Sequence, residues 1–218
     1  MRLLWRIFCL LASLASTLYL AGWLTNRYTP SSIDSGVRTA RGEALAANLA
    51  LLAVFALQHS GMARRFVKVR FGRPSYLLAT ALVLTLLFVK WEPMPERLWF
   101  AAGAVGAVLR GVQAAGLLLI LWSVTVTRAR AFFGFAPESG FQARGPYRWV
   151  RHPMMAGTLA LLWAQPEMTE GRLLFNTFLT VYVWASRRWE ERDLAALHGG
   201  AYTAYRDATP ALFRFPTQ

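Results

Sequence analysis

Two short stretches hold most of the side chains able to do chemistry. The first is Arg144-Gly-Pro-Tyr-Arg-Trp-Val-Arg-His-Pro-Met-Met-Ala-Gly157, which sets Tyr147, Arg148, Arg151 and His152 directly before an apolar run. Pro153 suits the first turn of a helix, where its missing N–H costs nothing. A helix N-terminus beside three arginines makes a site for a carboxylate or phosphate. The same arginines also suit a basic anchor at a membrane surface. The second stretch is Ser186-Arg-Arg-Trp-Glu-Glu-Arg-Asp193, followed by His198-Gly-Gly-Ala-Tyr-Thr-Ala-Tyr205. Glu190 and Glu191 are successive on a helix and point about 100° apart, so at most one faces a given ligand. Arg187 and Glu191 can pair at i,i+4. By composition alone this stretch is a solvated, salt-bridged helix.

The elements that must position these residues are apolar. Of the 218 residues, 56% are hydrophobic and 16% charged, against about 25% charged in soluble domains. The charges cluster between long apolar runs, the pattern of a chain that crosses a membrane several times. Five apolar regions stand out: about Leu3 to Leu24, Ala44 to Leu57, Tyr76 to Trp91, Leu98 to Val126 and Met154 to Trp184. The fourth contains Arg110, a costly residue at a bilayer centre. Leu98 to Leu109 is therefore expected at the interface or on a short tilted helix, with the span proper at Val112 to Val126. The fifth is split by a polar break, Gln165 to Arg172, that reads as the turn of a helical hairpin. Asn48 and Gln113 lie within spans and are expected to bond between helices.

These runs predict an all-α integral membrane helical bundle of about five spans, the last apolar region being the hairpin. The chain has room for a single domain, with transmembrane helices over 1–126 and the chemistry in 127–218. Loops 59–75 and 127–153 and the C-terminal tail are rich in arginine, and a hairpin that enters and returns puts all of them on one side. The positive-inside rule then makes both termini cytoplasmic, as in a bacterial inner membrane. Met1 to Leu24 carries some features of a signal peptide, but its apolar run is long enough to span about 30 Å and reads as a retained helix.

The net charge of +13 does not imply nucleic acid, because the basic residues flank apolar spans and meet lipid headgroups there. Cys9 is the one cysteine. It permits no disulfide within the chain and no Cys-x-x-Cys metal site, and it reads as a packing residue. Gly199-Gly200 follows a helix and not a strand, so it is no dinucleotide fingerprint.

Arg-Gly-Pro-Tyr-Arg-Trp-Val-Arg-His-Pro, a hairpin, then Glu-Glu-Arg-Asp-Leu and Tyr-x-x-Tyr resemble the isoprenylcysteine carboxyl methyltransferase superfamily over about 144–207. That superfamily includes phospholipid methyltransferases and the methanethiol S-methyltransferase and NnrU-like proteins. Phe55-Ala-Leu-Gln-His-Ser-Gly-Met-Ala-Arg64 and Trp91-Glu-Pro-Met-Pro95 resemble the methanethiol and NnrU-like branch. Where many members have Tyr after His-Pro-x, this chain has Met155, and its 127–142 segment is unlike the methanethiol enzymes.

The resemblance implies a cytosol-facing pocket for S-adenosylmethionine and a small or lipophilic methyl acceptor. By position it assigns Tyr147, Arg148, Arg151, His152, Pro153, Gly157, Glu190 and Glu191 to the cofactor, with His152, Arg151 and Glu190 closest to the chemistry. Arg151 is expected to bind the cofactor carboxylate, and Glu190 or Glu191 its amino group or ribose hydroxyls. His152 acts as base or only as a hydrogen-bonding group. His59 and Gln58 are candidates on the acceptor side. The acceptor is a small thiol such as methanethiol, or else a lipid or isoprenylcysteine carboxylate. An NnrU-like protein without enzymatic activity is the remaining alternative.

Overall fold

A computed structural model describes residues 2–65, 72–127 and 143–212, with the side chains of Arg64 and Arg65 excepted. The loop calls at 66–71 and 128–142 lie outside the described residues. The elements are α1 (Arg2–Thr25), α2 (Arg41–Arg65), α3 (Gly72–Lys90), β1 (Arg97–Phe100), α4 (Gly103–Val126), a 3-10 turn (Gly145–Arg148), α5 (Pro153–Trp163), β2 (Glu167–Thr169), α6 (Glu170–His198) and α7 (Gly200–Ala208). Helices α1 to α4 are each long and apolar enough to cross a membrane. Leu4, Phe8, Leu18, Val105, Val108 and Leu118 on them are exposed. Such a surface is stable when its solvent is lipid. The protein is thus an all-α, multi-pass membrane protein.

Two compact units divide the described chain. The first comprises residues 2–65, 72–99 and 168–178. Here α3 packs on both α1 and α2. Trp23 is fully buried and meets Phe88 at 5.5 Å and Trp91 at 5.4 Å between ring centroids. Cys9 is also fully buried, as a packing residue should be. The polar segment after α1 is pinned, not loose. Asp34 pairs with Arg172 at 3.1 Å and accepts hydrogen bonds from Asn26 and Thr169. Trp91 Nε1 donates to Ile33 O at 3.1 Å. Asn48 bonds the backbone of Glu92 in both directions, Nδ2 donating to its carbonyl and Oδ1 accepting from its N–H. Its partner is therefore the turn after α3 and not a neighbouring helix.

The second unit comprises residues 100–127, 143–167 and 179–212. Helices α4 and α5 pack closely because two glycines meet. A Cβ on Gly116 would lie 2.8 Å from Gly157 O, and one on Gly157 would lie 2.6 Å from Gly116 O. Small residues permit this approach, and dispersion between the backbones rewards it. Gln113 Nε2 donates to Leu161 O across the same contact. Ala156, Leu159, Val183 and Leu212 form a buried cluster joined by Leu119 and Met155.

The hairpin expected in the fifth apolar region is present as α5, a short break and α6. The eleven residues of α5 rise about 16 Å, half a hydrocarbon thickness. Strand β2 in the break pairs with β1, and neighbouring amides are satisfied likewise: Ala101 N–H bonds Pro166 O, and Gly171 N–H bonds Met94 O. Backbone groups away from water require such partners.

A second expectation, after that for Asn48, is overturned in part. Leu98 to Leu109 is not a separate tilted helix. It contains β1 and then the first two turns of a continuous α4. Arg110 is tolerated because it lies two turns from the helix start and its guanidinium reaches back toward that end. Its Nη1 lies 3.6 Å from where a Cβ on Gly106 would stand. Side chains on a helix lean toward the N-terminus, and a long basic one can then carry its charge toward the interface.

Candidate functional site

The Arg-His-Pro element lies between the 3-10 turn and α5. Gly145 opens the turn at φ +53, and a Cβ there would stand 2.7 Å from Val126 Cγ2. Trp149 follows, edge-on to Trp122 at 5.3 Å, so the turn is docked on the end of α4. Pro153 starts α5, and His152 occupies its N-cap without spending its side chain on a cap bond. The backbone amides of Arg151 and His152 donate instead to Pro210 O at 2.9 Å and Ala211 O at 3.0 Å. The segment after α7 thus straps the element down. Tyr205 on α7 adds a hydrogen bond from its hydroxyl to Tyr147 O, at 2.5 Å.

Glu191 is the hub. Its Oε1 accepts from Arg151 Nε at 3.0 Å and Nη2 at 2.9 Å, and from His152 Nε2 at 3.0 Å. Arg187 Nη1 approaches the same oxygen at 3.6 Å. Arg151 Nη1 donates to Arg206 O at 2.7 Å and also to Thr209 O. Every nitrogen of the Arg151 guanidinium is thereby engaged within the protein. Glu190 takes the other side of the imidazole, with Oε2 3.6 Å from His152 Nδ1. The two carboxylates diverge as their spacing on a helix requires, and His152 sits in the fork between them.

Burial acts to raise the Glu191 pKa, but hydrogen bonds from Arg151 and His152 outweigh it and hold the carboxyl below its ordinary value. Glu190 goes the other way. Burial, Glu191 and Asp193 raise it against the pull of His152. Yet the Glu190 side chain is 51% exposed. Burial, with Glu190 and Tyr205 nearby, also raises the Tyr147 phenol. Tyr202 and Tyr205 are each pushed up to about 12, chiefly by burial. These three phenols are hydrogen-bonding groups, not bases, near neutral pH.

The structure therefore brings together Tyr147, Arg151, His152, Pro153, Glu190 and Glu191. Arg148 ends the 3-10 turn exposed and makes no polar contact with them. Gly157 is consumed in the contact with Gly116. Gln58 and His59 belong to the first unit. There Tyr76 Oη lies 2.8 Å from His59 Nε2, Phe55 stacks on the imidazole at 5.2 Å, and Gln58 bonds Thr80. The sequence reading did not foresee the carbonyls of Arg206 and Thr209 or the hydroxyl of Tyr205 as partners of the Arg-His-Pro element. Its only signal for them was the Tyr-x-x-Tyr repeat.

Comparison with known proteins gives this constellation a lineage. The chain is 38% identical to methanethiol S-methyltransferase 2 of Bradyrhizobium diazoefficiens, over 96% of this chain and 88% of that one. It is 35% identical to methanethiol S-methyltransferase of Mycobacterium tuberculosis, over 91% and 89%. Nurim of Sus scrofa is 29% identical over 70% of this chain and 69% of its own. No protein-family model matches the chain, and no solved structure does. The two methyltransferases match more than nine-tenths of the chain at 35% identity or more, and on that ground it belongs to the methanethiol S-methyltransferase family of methyltransferases.

Proposed function

We propose that this protein transfers the methyl group of S-adenosylmethionine to methanethiol, at a site formed by Tyr147, Arg151, His152, Glu190 and Glu191. The observation that carries the reading is likeness over 96% of the chain to a methanethiol S-methyltransferase, joined to a fork of two carboxylates around His152. The residues fit the cofactor. Glu190 is open to solvent and can accept from an ammonium or from ribose hydroxyls. Glu191 Oε2 makes no hydrogen bond among the described residues and can do the same. When bound, the cofactor supplies a methyl group on a sulfonium, a leaving group that departs neutral.

The division of labour among the residues follows from their bonds. Arg151, saturated by Glu191 and two carbonyls, holds the strap and the hub. Carboxylate binding, first assigned to it, passes to cations with free donors, Arg148 on the turn among them. Glu191 accepts from Nε2–H of His152 and so leaves Nδ1 as the acceptor of the neutral ring. Nδ1 can then take a proton from a thiol or a bond from the cofactor. Anionic sulfur and cationic sulfonium become two neutral products, so charge falls along the reaction. A pocket that binds both reactants while excluding water lowers the barrier relative to the separated ions. Alignment of sulfur, methyl and sulfonium supplies much of the remainder.

On this reading the cofactor region is 127–218 of a single membrane domain, and the arginine-rich segments support a cytoplasmic side of a bacterial inner membrane for it and for both termini. The test is methyl transfer by detergent-purified protein from labelled S-adenosylmethionine to methanethiol, read as dimethyl sulfide in the headspace. Labelled dimethyl sulfide, in competition with a prenylcysteine analogue that stays unlabelled, supports the proposal. Label in the analogue alone moves the acceptor to the isoprenylcysteine class. No labelled product with either acceptor overturns the enzymatic reading.

A further inference from the structure

Two arginines lean on one oxygen of Glu191, and their circumstances differ. Arg151 is 11% exposed and makes hydrogen bonds to Glu191, Arg206 O and Thr209 O. Arg187, one turn before Glu191 on α6, is 14% exposed and makes none among the described residues. Its contacts are the 3.6 Å approach to Glu191 and the face of Trp184, 4.9 Å below its central carbon. Its Nε is sealed from solvent without an acceptor. A guanidinium carries five N–H donors, and leaving charged donors desolvated and unused is expensive. Two cations on the one carboxylate of Glu191 also leave the hub short of negative charge, since Glu190 faces the far side of His152 and contacts neither arginine among the described residues. A group that is both anionic and a hydrogen-bond acceptor would resolve both deficits.

We propose that Arg187 is a catalytic residue that receives the sulfur of the acceptor as its thiolate, beside His152 on the Glu191 hub. Resting on the thiol-methylation reading, this adds a residue that binds the reacting atom. The thiolate, not the thiol, is the nucleophile, and a neighbouring arginine raises its share at a given pH. The S–H bond breaks and its proton passes to His152 Nδ1, whose Nε2–H is held by Glu191. The sulfur electron pair forms the new S–CH3 bond. The C–S bond of the sulfonium breaks, and its pair stays on the cofactor sulfur. Arg187 is unchanged throughout. Cation–π contact with Trp184 keeps the guanidinium in place while a thiol comes and goes.

The experiment compares wild type, Arg187→Gln and Arg187→Lys, each purified in detergent with matching gel-filtration profiles, at one pH. The acceptors are methanethiol, a weak acid, and thiophenol, a thiol far more ionised at that pH. Equilibrium binding of S-adenosylmethionine is measured on the same samples. The expected result is a loss in kcat/KM of about thirtyfold or more for methanethiol in Arg187→Gln. The loss for thiophenol is about threefold or less, cofactor binding is unchanged, and Arg187→Lys regains part of the methanethiol rate. Equal losses for the two thiols overturn the proposal, and so does an unchanged rate with methanethiol. Weakened cofactor binding overturns it too and makes Arg187 the anchor of the cofactor carboxylate. A wild type that binds the cofactor but methylates neither thiol removes the thiol reading itself, a result visible without any variant.

Discussion

In the first unit Asp34 spreads its two oxygens over three partners: Arg172 at 3.1 Å, Asn26 at 2.8 Å and Thr169 at 2.6 Å. In the second unit Glu191 gathers Arg151, His152 and the approach of Arg187 on a single oxygen. Both carboxylates are largely buried and both face an arginine. Asp34 is fully satisfied by groups that go nowhere, and it ties the segment after α1 to the start of α6. Glu191 keeps Oε2 without a hydrogen bond among the described residues and stands beside a half-exposed Glu190. A buried ion pair is weak evidence of function in itself. What separates the two is the carboxylate itself: both oxygens of Asp34 are engaged, and among the described residues all partners of Glu191 crowd one oxygen.

The largest effect should come from removing the two carboxylates in turn. Glu191→Ala strands Arg151 and His152, and should cost about 3 kcal/mol of stability and at least about a hundredfold in turnover. Asp34→Ala should cost similar stability, yet leave turnover per folded molecule within about twofold. Denaturation followed by fluorescence, with labelled methyl transfer on the same samples, would show whether the two responses part.

Next come the arms of the fork. His152→Ala and Glu190→Ala should each reduce cofactor binding or turnover at least about tenfold. Wild-type behaviour of both at equal protein levels would remove the site assignment. Smaller again is the support beneath the site. Gly157→Ala places a methyl 2.6 Å from Gly116 O and 2.8 Å from Ile120 Cγ1, so α4 and α5 must separate. A loss of about 1–3 kcal/mol is expected, and an unchanged melting temperature would deny the close crossing.

The smallest effect is one of sign. Glu191 has a lowered pKa in the fold, so its stabilisation is complete above the ordinary carboxylate value and is lost as pH falls through the lowered one. Glu190 has a raised pKa, so its ionisation weighs against the fold as pH rises through the ordinary value toward the raised one. At neutral pH Glu191→Gln should lower the melting temperature and Glu190→Gln should raise it slightly. At about pH 4 the gain from Glu190→Gln should vanish. Shifts of the same sign would contradict the geometry of the fork.

The sequence made the spans and the hairpin legible because both depend on local apolar runs and one polar break at Gln165 to Arg172. Divergence of Glu190 and Glu191 was legible for the same reason, since helical spacing alone sets it. The continuity of α4 was not. Arg110 looked prohibitive by position, and the length of its side chain, which lets the charge travel back along the helix, decided otherwise. Nor could the saturation of Arg151 be read. Its competing acceptors are carbonyls 55 and 58 residues away, and a carbonyl exists at every residue. The network of Asp34 hid for a similar reason, because Arg172 sat in what read only as a hairpin turn.

Equilibrium binding of labelled S-adenosylmethionine to purified wild type, Glu190→Gln and Asp34→Asn tests the central claim most directly. The account predicts saturable binding by wild type, binding within about twofold of it by Asp34→Asn, and binding at least about tenfold weaker by Glu190→Gln. Equal binding by all three, or a loss in Asp34→Asn as large as that in Glu190→Gln, would contradict it.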